Sequence, residues 1–388
     1  MPAGRAPLCL RPRGVVRGAV LTLVFAGVLA TGAATGALPR EDDAGREPRN
    51  GAGDRAAFDR AALHRFAAEA AADGKSGKQA AEEFVSRSGD RWGAVYDRRE
   101  YAEFERSLDG AYTGVGLSAG AADDGIRVTR VRSGGPAERA GVRVGDRLLA
   151  VGGRPTDGRS ASEVVSLLRG DGVPGSTVAL RIRRGGMTWT QTLRRERLAT
   201  EPVTVTRPDA RTVVIRVAAF SKGVGARVRE AVRAAPAGAG VLLDLRGNPG
   251  GLVDEAASAA SAFLDGGLVA TYDVEGEQRA VYAERGGDTG RPLVALVDGG
   301  TMSAAELLTG ALQDRGRAVT VGSRTFGKGS VQMPSALPDG SVAELTVGHY
   351  RTPAGHEVDG RGIAPDLPAE EGAEERARTV LSGLGGGS

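Results

Sequence analysis

The chain of 388 residues has one cysteine and three histidines, and this scarcity excludes several kinds of site. A structural zinc site needs closely spaced cysteine and histidine ligands, which the scattered histidines do not provide, so no metal is expected. Disulfide bonds are excluded because Cys9 has no second cysteine to pair with. A Ser/His/Asp triad stays open but has weak support, since His349 follows an ordinary strand and His356 an ordinary turn.

The net positive charge of the chain comes from arginines in a predicted leader segment. The formal net charge is +3, and a chain cleaved after Ala37 would lose four positive charges and carry −1; these come from Arg5, Arg11, Arg13 and Arg17. The basic character therefore gives no reason to expect a nucleic-acid partner. An uncharged apolar run over residues 18–38 follows these arginines, so residues 1–38 are predicted to be a signal peptide or a membrane anchor. We expect an extracytoplasmic protein, secreted or anchored to the outer face of the cytoplasmic membrane.

Composition and apolar spacing divide the rest of the chain into five segments. The predicted segments are a linker at 39–56, a helical region at 57–111, a small strand-rich domain at 112–198, a larger domain at 199–375 and a flexible glycine-rich tail at 376–388.

Ser303 follows a predicted strand and begins a predicted helix. The apolar run Leu293–Val297 indicates the strand, and apolar residues recur at helical spacing from Ala304 onward. Ser303 and Glu306 have the spacing of a capping box, in which the serine is only an N-cap. A strand, a small-residue turn and a helix start can instead expose the hydroxyl beside free amides that bind an oxyanion. Both interpretations of Ser303 stay open on spacing alone.

A candidate base lies 25 residues further on. Lys328 is flanked by Gly327 and Gly329, which allow other backbone to approach closely, and Phe326 can remove water from the amine. A lysine acts as a base only where burial leaves it neutral. Gln332 shares the strand face of Lys328 and can orient the amine, although it also suits an ordinary polar strand.

Two glycine patterns imitate nucleotide sites but are incomplete. Residues 322–328 read Gly-x-x-x-x-Gly-Lys, but Gly329 stands where a phosphate-binding loop needs serine or threonine. Residues 114–116 read Gly-x-Gly, but Ala119 replaces the third glycine of a dinucleotide fingerprint. We therefore expect no cofactor.

Four segments of the larger domain resemble the C-terminal processing peptidases, a family of tail-specific serine proteases with a crotonase-like α/β catalytic domain. The matching segments are Asp244–Gly251 (Asp-Leu-Arg-Gly-Asn-Pro-Gly-Gly), Ser303–Glu306, Thr325–Gly329 and Tyr350–Asp366. The resemblance implies that Ser303 is the nucleophile, Lys328 its base and Gln332 the residue that orients the amine. It also implies an oxyanion hole made by the amides of Gly250 and Ala304.

The smaller domain, residues 112–198, resembles a PDZ domain. Its carboxylate-binding loop matches residues 112–118 and its core matches residues 135–151. In such a domain backbone amides hold a terminal carboxylate while the peptide adds as a strand. Arg169, at the end of a predicted helix over 162–169, either compensates the helix dipole or senses the peptide. The predicted peptide contacts are Gly114, Val115, Gly116, Leu117, Val164, Leu168 and Arg169.

Together these features predict an α/β multidomain protein: a crotonase-like serine protease domain with an inserted PDZ-like domain and a helical N-terminal region. The expected activity is an exported Ser/Lys endopeptidase that cleaves proteins with free, apolar C-termini. The alternatives are an inactive PDZ scaffold and, less favoured, a crotonase-like acyl-CoA enzyme, whose cofactor is cytoplasmic. In the family the N-terminal helices can mediate dimerisation; packing against the body is the alternative. A regulatory partner and membrane anchoring through residues 18–38 also stay open.

Overall fold

The computed structural model describes residues 60–72, 74–122, 124–274 and 277–385. The predicted leader and linker, residues 1–56, lie outside these ranges. Among the helices in the described ranges, none combines the length and the apolar character needed to cross a bilayer.

Among the described residues, three helices and a short strand precede the smaller domain. They are α1 (Arg60–Ala72), α2 (Gly77–Ser88), β1 (Ala94–Tyr96) and α3 (Arg98–Leu108). Capping boxes at Ser76 and Asp97 begin α2 and α3. The apolar faces of α1 and α2 pack on strands of the larger domain, in a buried cluster of Leu63, Ala67, Ala70, Ala80, Ala81, Leu337, Ala343 and Leu345. Packing against the body therefore accounts for these faces, and dimerisation stays a prediction.

The smaller domain is a twisted antiparallel sheet closed by one helix. Its strands are β2 (Ala111–Gly114), β3 (Leu117–Ala122), β4 (Gly125–Val131), β5 (Arg147–Val151), β6 (Arg154–Pro155), β7 (Thr177–Arg184), β8 (Met187–Arg194) and β9 (Glu196–Ala199). The order of the main sheet is β3-β4-β5-β7-β8, and β2 pairs with β9 where the chain enters and leaves. The helices are α4 (Pro136–Arg139) and α5 (Ala161–Arg169), and α5 covers the apolar core formed by Leu148, Leu180 and Ile182.

A six-stranded sheet forms the centre of the larger domain. Its order is β10 (Val203–Asp209), β11 (Thr212–Val217), β12 (Gly240–Asp244), β15 (Leu293–Val297), β16 (Val319–Gly322) and β19 (Leu367–Pro368). All neighbours are parallel except β10 and β11. Every residue of β12 and β15 is buried, because helices cover both faces of a central parallel strand. The strand predicted at Leu293–Val297 is thus confirmed.

The covering helices divide between the two faces of this sheet. Leu243 faces a core formed with α6 (Val224–Arg233), α7 (Val253–Ala260) and α8 (Ala304–Asp314). Its neighbour Leu242 faces the opposite side, against α9 (Ala373–Gly385). Strand alternation thus sends consecutive residues of β12 to two cores.

The helix α9 corrects one prediction from the sequence. Residues 376–388 were expected to form a flexible tail, but the helix continues to Gly385. Ala377 and Leu381, one helical turn apart, are buried against the central sheet. The glycine-rich end concealed this apolar spacing in the sequence.

A second, antiparallel sheet lies beside the first. Its order is β1, β18 (Val342–Arg351), β13 (Leu268–Val274) and β14 (Glu277–Tyr282), and β17 (Ser330–Ala336) pairs with β18. Parallel strands place their functional loops at their carboxyl ends. The loops after β12, β15 and β16 meet there and lead to the segment that starts β17.

Candidate active site

Ser303 has the most unusual backbone of the described residues. The turn after β15 ends at Ser303, whose φ and ψ are 51° and −119°, and among described residues other than glycine it alone has a positive φ. Such a conformation costs about 1–3 kcal/mol and persists only where surrounding contacts impose it. A sharp strand-to-helix turn of this kind projects the side chain out of the chain path.

Hydrogen bonds with the segment after β12 hold this turn in place. The Asp298 carboxylate accepts the N–H groups of Gly247 and Gly300 at 2.8 and 2.9 Å. The Thr301 hydroxyl donates to the Leu245 carbonyl at 3.0 Å. The next residue along, Met302, donates its N–H to the Asn248 carbonyl at 2.9 Å. The two loops therefore form one unit at the edge of the sheet.

The backbone of Ser303 differs from that of an ordinary helix cap. An N-cap residue is extended, as Ser160 is with φ −68° and ψ 157°. In an ordinary cap the serine hydroxyl accepts the N–H of the residue three positions on, which here is Glu306. The Glu306 N–H donates to the Ser303 carbonyl at 2.8 Å and so has a backbone acceptor. The Glu306 carboxylate does accept the Ser303 N–H, as in a capping box, but a cap alone does not require the positive φ of this serine.

Gly250 and Ala304 lie against Ser303. Gly250 has φ +96°, and a Cβ atom placed there would lie 2.9 Å from Ser303 Cβ and 3.0 Å from the Ala304 nitrogen. Ala304 begins α8, so its N–H has no acceptor inside the helix. The Gly250 N–H, by contrast, donates to Asn248 Oδ1 at 2.9 Å. The structure thus brings the two predicted oxyanion residues together but gives the Gly250 amide an acceptor of its own.

Glu306 connects the serine to the lysine loop. Its side chain is fully buried and accepts the Ser303 N–H at 2.9 Å. The same carboxylate accepts the Thr325 hydroxyl at 2.5 Å and the N–H groups of Gly327 and Lys328 at 2.7 and 2.9 Å. Burial raises the pKa of Glu306, and these four hydrogen bonds oppose that rise. The capping-box spacing identified this glutamate in the sequence but gave no sign of its contacts with the lysine loop.

The amine of Lys328 lies half-buried beneath an aromatic ring. Burial lowers the pKa of Lys328, and the negative charges of Glu344, Asp90, Asp359 and Glu306 oppose that effect. The Nζ atom is 5.5 Å from the centroid of the Trp92 ring. Within the described ranges no hydrogen bond joins this amine to Ser303 Oγ, so the dyad is open.

Gln332 also makes contacts other than those expected for it. Its amide nitrogen donates to Ser330 Oγ at 2.6 Å and to Thr346 Oγ1 at 3.5 Å. Among the described residues no hydrogen bond links Gln332 to the Lys328 amine. Strand alternation does place Ser330 and Gln332 together, as expected, and the role in orienting the amine stays a prediction.

A second buried carboxyl group acts on the lysine. Glu344 lies on β18 opposite Pro334 of β17 and Ala94 of β1. Burial raises the pKa of Glu344 to about 7, against the opposing charge of Lys328. Nothing in the sequence singles out Glu344, because a glutamate in an alternating strand resembles any solvent-facing residue.

The histidines lie in other environments. His349 is 3.7 Å from Asp359 and His356 is 3.4 Å from Asp314. In the described part of the chain no histidine forms a hydrogen bond with Ser303, whereas the Lys328 N–H shares the Glu306 carboxylate with the Ser303 N–H. The lysine is therefore the better candidate base.

The predicted peptide loop lines a cavity of about 120 Å³ between β3 and α5. Its walls include six of the seven predicted residues: Gly114, Val115, Gly116, Leu117, Leu168 and Arg169. Val164 is the exception and is wrongly assigned to the groove, since it is fully buried in the core and Val165 takes its place on the wall. The Arg169 guanidinium lies 5.9 Å from the Tyr112 ring at one end of this cavity.

The site combines a parallel α/β sheet, a strained serine at a helix start, a lysine loop and an attached domain with a groove. Comparison with known proteins finds families with such parts. A family model described as Peptidase family S41 matches residues 211–369, and one described as PDZ domain matches residues 127–184. The larger domain is thus similar to the S41 peptidases, and the smaller domain is similar to PDZ domains.

Similar proteins are carboxyl-terminal processing proteases. The carboxy-terminal processing protease CtpA of Bacillus subtilis (strain 168) is 30% identical over 286 residues, which cover 72% of this chain and 61% of the relative. Carboxyl-terminal-processing peptidase 3, chloroplastic, of Arabidopsis thaliana is 35% identical over 322 residues, with 78% and 61% covered. The chain thus spans about three fifths of the length of both relatives.

A solved structure of similar architecture bears a related name. The photosystem II D1 C-terminal processing protease is 28% identical, with a TM-score of 0.51, and the match covers 85% of this chain and 98% of that chain. The mixed α/β fold with a PDZ domain, expected from the sequence, is confirmed by these matches.

Proposed function

We propose that this chain is a serine endopeptidase that takes up the C-terminal tail of a protein in its PDZ groove and cleaves the chain at Ser303. The proposal includes a crotonase-like fold for the larger domain. Its main support is the backbone of Ser303, whose strain serves no purpose in a helix cap. The shared contacts of Glu306 with the serine and the lysine loop add to that support.

In this mechanism the neutral Lys328 amine accepts the proton of Ser303 Oγ as that oxygen attacks the scissile carbonyl carbon. The negative oxygen of the tetrahedral intermediate binds the Ala304 N–H, which has no partner in the helix. Gly250 completes the oxyanion hole once its N–H leaves Asn248. Lys328 then returns the proton to the leaving amine, and the acyl-enzyme is hydrolysed by a water that the same amine activates.

The open dyad requires one adjustment before attack. The amine has to form a hydrogen bond with Ser303 Oγ, with Gln332 turning from Ser330 to orient it. Several carboxylates favour the protonated amine, so activity is expected to rise with pH as the lysine loses its proton. In this proposal the enzyme works outside the cytoplasm, exported by the leader within residues 1–38, and acts on proteins with apolar C-termini.

The test is cleavage of an unfolded reporter protein with a free apolar C-terminus by the full chain. Ser303→Ala and Lys328→Met are each expected to lower kcat/KM by roughly 1000-fold or more. Lys222→Met, which changes an exposed lysine, is the matched control and should keep full activity. An amidated reporter should be cleaved more slowly, because it lacks the carboxylate that the PDZ loop would bind.

An inactive PDZ scaffold is the second candidate. Full activity in Ser303→Ala would exclude this serine as the nucleophile. Tail binding without cleavage, under all pH values tried, would favour the scaffold.

A further inference from the structure

A tryptophan that precedes the PDZ domain in the chain lies over the candidate base. Trp92 lies between α2 and β1, 236 residues before Lys328, yet its ring centroid is 5.5 Å from Lys328 Nζ. The indole also packs against Phe326, with centroids 5.6 Å apart and an interplanar angle of 57°. The ring that lies over the amine is therefore itself packed against a second aromatic side chain.

Asp359 holds this indole in place. Its carboxylate accepts the indole N–H of Trp92 at 3.2 Å and the N–H of Gly329 at 3.3 Å. The Arg91 guanidinium lies 3.4 Å from the same carboxylate and 4.7 Å from the Trp92 ring centroid. One acidic side chain thus fixes the tryptophan to the residue that follows Lys328.

The charges around Lys328 favour its protonated form. Glu344 faces it from β18, Asp90 from the turn before β1, Glu306 from α8 and Asp359 from the segment after β18. The ring itself also attracts a cation. Burial opposes all of these and is the largest effect, since the pKa of Lys328 is lowered overall. A neutral base therefore depends on the exclusion of water from the amine.

We propose that Trp92 is a positioning residue that makes Lys328 a base near neutral pH by excluding water from its amine. The inference rests on the proposed role of Lys328 in proteolysis. It assigns a catalytic purpose to the segment between α2 and β1, which supplies both Trp92 and its neighbour Arg91. Without the indole, water would reach the amine while all four carboxylates remained.

The first test is the pH dependence of kcat/KM for Trp92→Ala in the full chain. The limb on which activity rises with pH should move by about one unit to higher pH, with a roughly tenfold loss at pH 7 that is recovered at alkaline pH. Trp92→Phe keeps a ring but loses the hydrogen bond to Asp359. Its pH profile should therefore lie between those of the unchanged chain and Trp92→Ala. Trp189→Ala, which removes the PDZ tryptophan that packs near Arg184, is the control and should leave the limb in place. An equal loss at every pH would overturn the proposal.

The second test does not need cleavage. The chain has two tryptophans, so Trp189→Phe leaves Trp92 as the single emitter. Its fluorescence should change in one step between neutral and alkaline pH, and Lys328→Met should abolish that step. A missing step in a chain that still cleaves overturns the inference alone. A lysine-dependent step in a chain that cleaves nothing at any pH upholds the contact and contradicts the proposed function.

Discussion

The serine side and the lysine side of the candidate site are built by different means. The turn that carries Ser303 is held by hydrogen bonds between the loops that follow β12 and β15, in which nearby side chains bond to main-chain groups. Lys328 is surrounded by side chains that come from distant parts of the sequence, including Trp92, Glu344 and Asp359. The groups that would bind the carbonyl are thus set by the fold, whereas the proton acceptor depends on a surrounding shell of side chains. Substitutions on the two sides should fail in different ways.

The largest effect is expected on the serine side, from Gly250→Ala. The new methyl group would lie 2.9 Å from Ser303 Cβ and 3.0 Å from the Ala304 nitrogen, where the positive φ is also unfavourable. Displacing the nucleophile and an oxyanion donor together should lower kcat by about 100-fold to 1000-fold at every pH. The measurement is a pH profile of reporter cleavage.

Gly238→Ala is the matched control for this change. Gly238 has φ +74°, but a Cβ atom there meets nothing within 4 Å. Gly238→Ala should therefore lower the free energy of unfolding without lowering kcat. Equal loss of activity in both variants would show that backbone strain, not contact with the serine, explains the effect.

Glu306→Gln tests the connection between the two sides. A glutamine offers one acceptor oxygen where the carboxylate accepts four hydrogen bonds, and its NH₂ group would face donors. We expect the free energy of unfolding to fall by about 2–4 kcal/mol, and cleavage by the folded fraction to fall by roughly tenfold to 100-fold. Urea unfolding combined with cleavage rates measures both.

Glu163→Gln provides the comparison for Glu306. Glu163 occupies the same capping-box position behind Ser160 in the PDZ domain, but it is exposed. Glu163→Gln should lower the free energy of unfolding by less than about 1 kcal/mol and leave cleavage unchanged. Similar losses for the two glutamates would mean that Glu306 acts only as a cap.

The smallest effect is expected on the lysine side, from Glu344→Gln. The pKa of Glu344 is raised from 4.5 to about 7, so between these values the folded state binds more protons than the unfolded state. Its contribution to stability is therefore complete below pH 4.5 and declines as the pH rises to about 7, by at most about 3 kcal/mol. Glu344→Gln should remove this decline in urea unfolding measured at a series of pH values. An unchanged decline would show that other groups cause it.

The sequence predicted the serine side better than the lysine side. The strand Leu293–Val297 and the helix start at Ser303 are local patterns, so periodicity was sufficient to find them. The position of the Lys328 amine depends on Trp92 and Glu344, which reach it only through tertiary packing. The local spacing of residues does not indicate such tertiary contacts.

Two features of the structure were also missed because a local sequence pattern already explained the residues involved. The capping-box pattern accounts for Glu306 so completely that nothing in the sequence pointed to its contacts with Gly327 and Lys328. In the PDZ helix both Val164 and Val165 are apolar, and only the packed helix decides which of them faces the groove. Each error arose where one residue type suits two environments.

The strained backbone of Ser303 has a consequence for how such a chain can evolve. Glycine would adopt this conformation at little cost, so a serine here makes the folded state less stable than it need be. A lineage that used the protein only to hold peptides would gain stability by replacing this serine with glycine. Under the proposed function, the reactivity of the serine is what offsets this loss of stability.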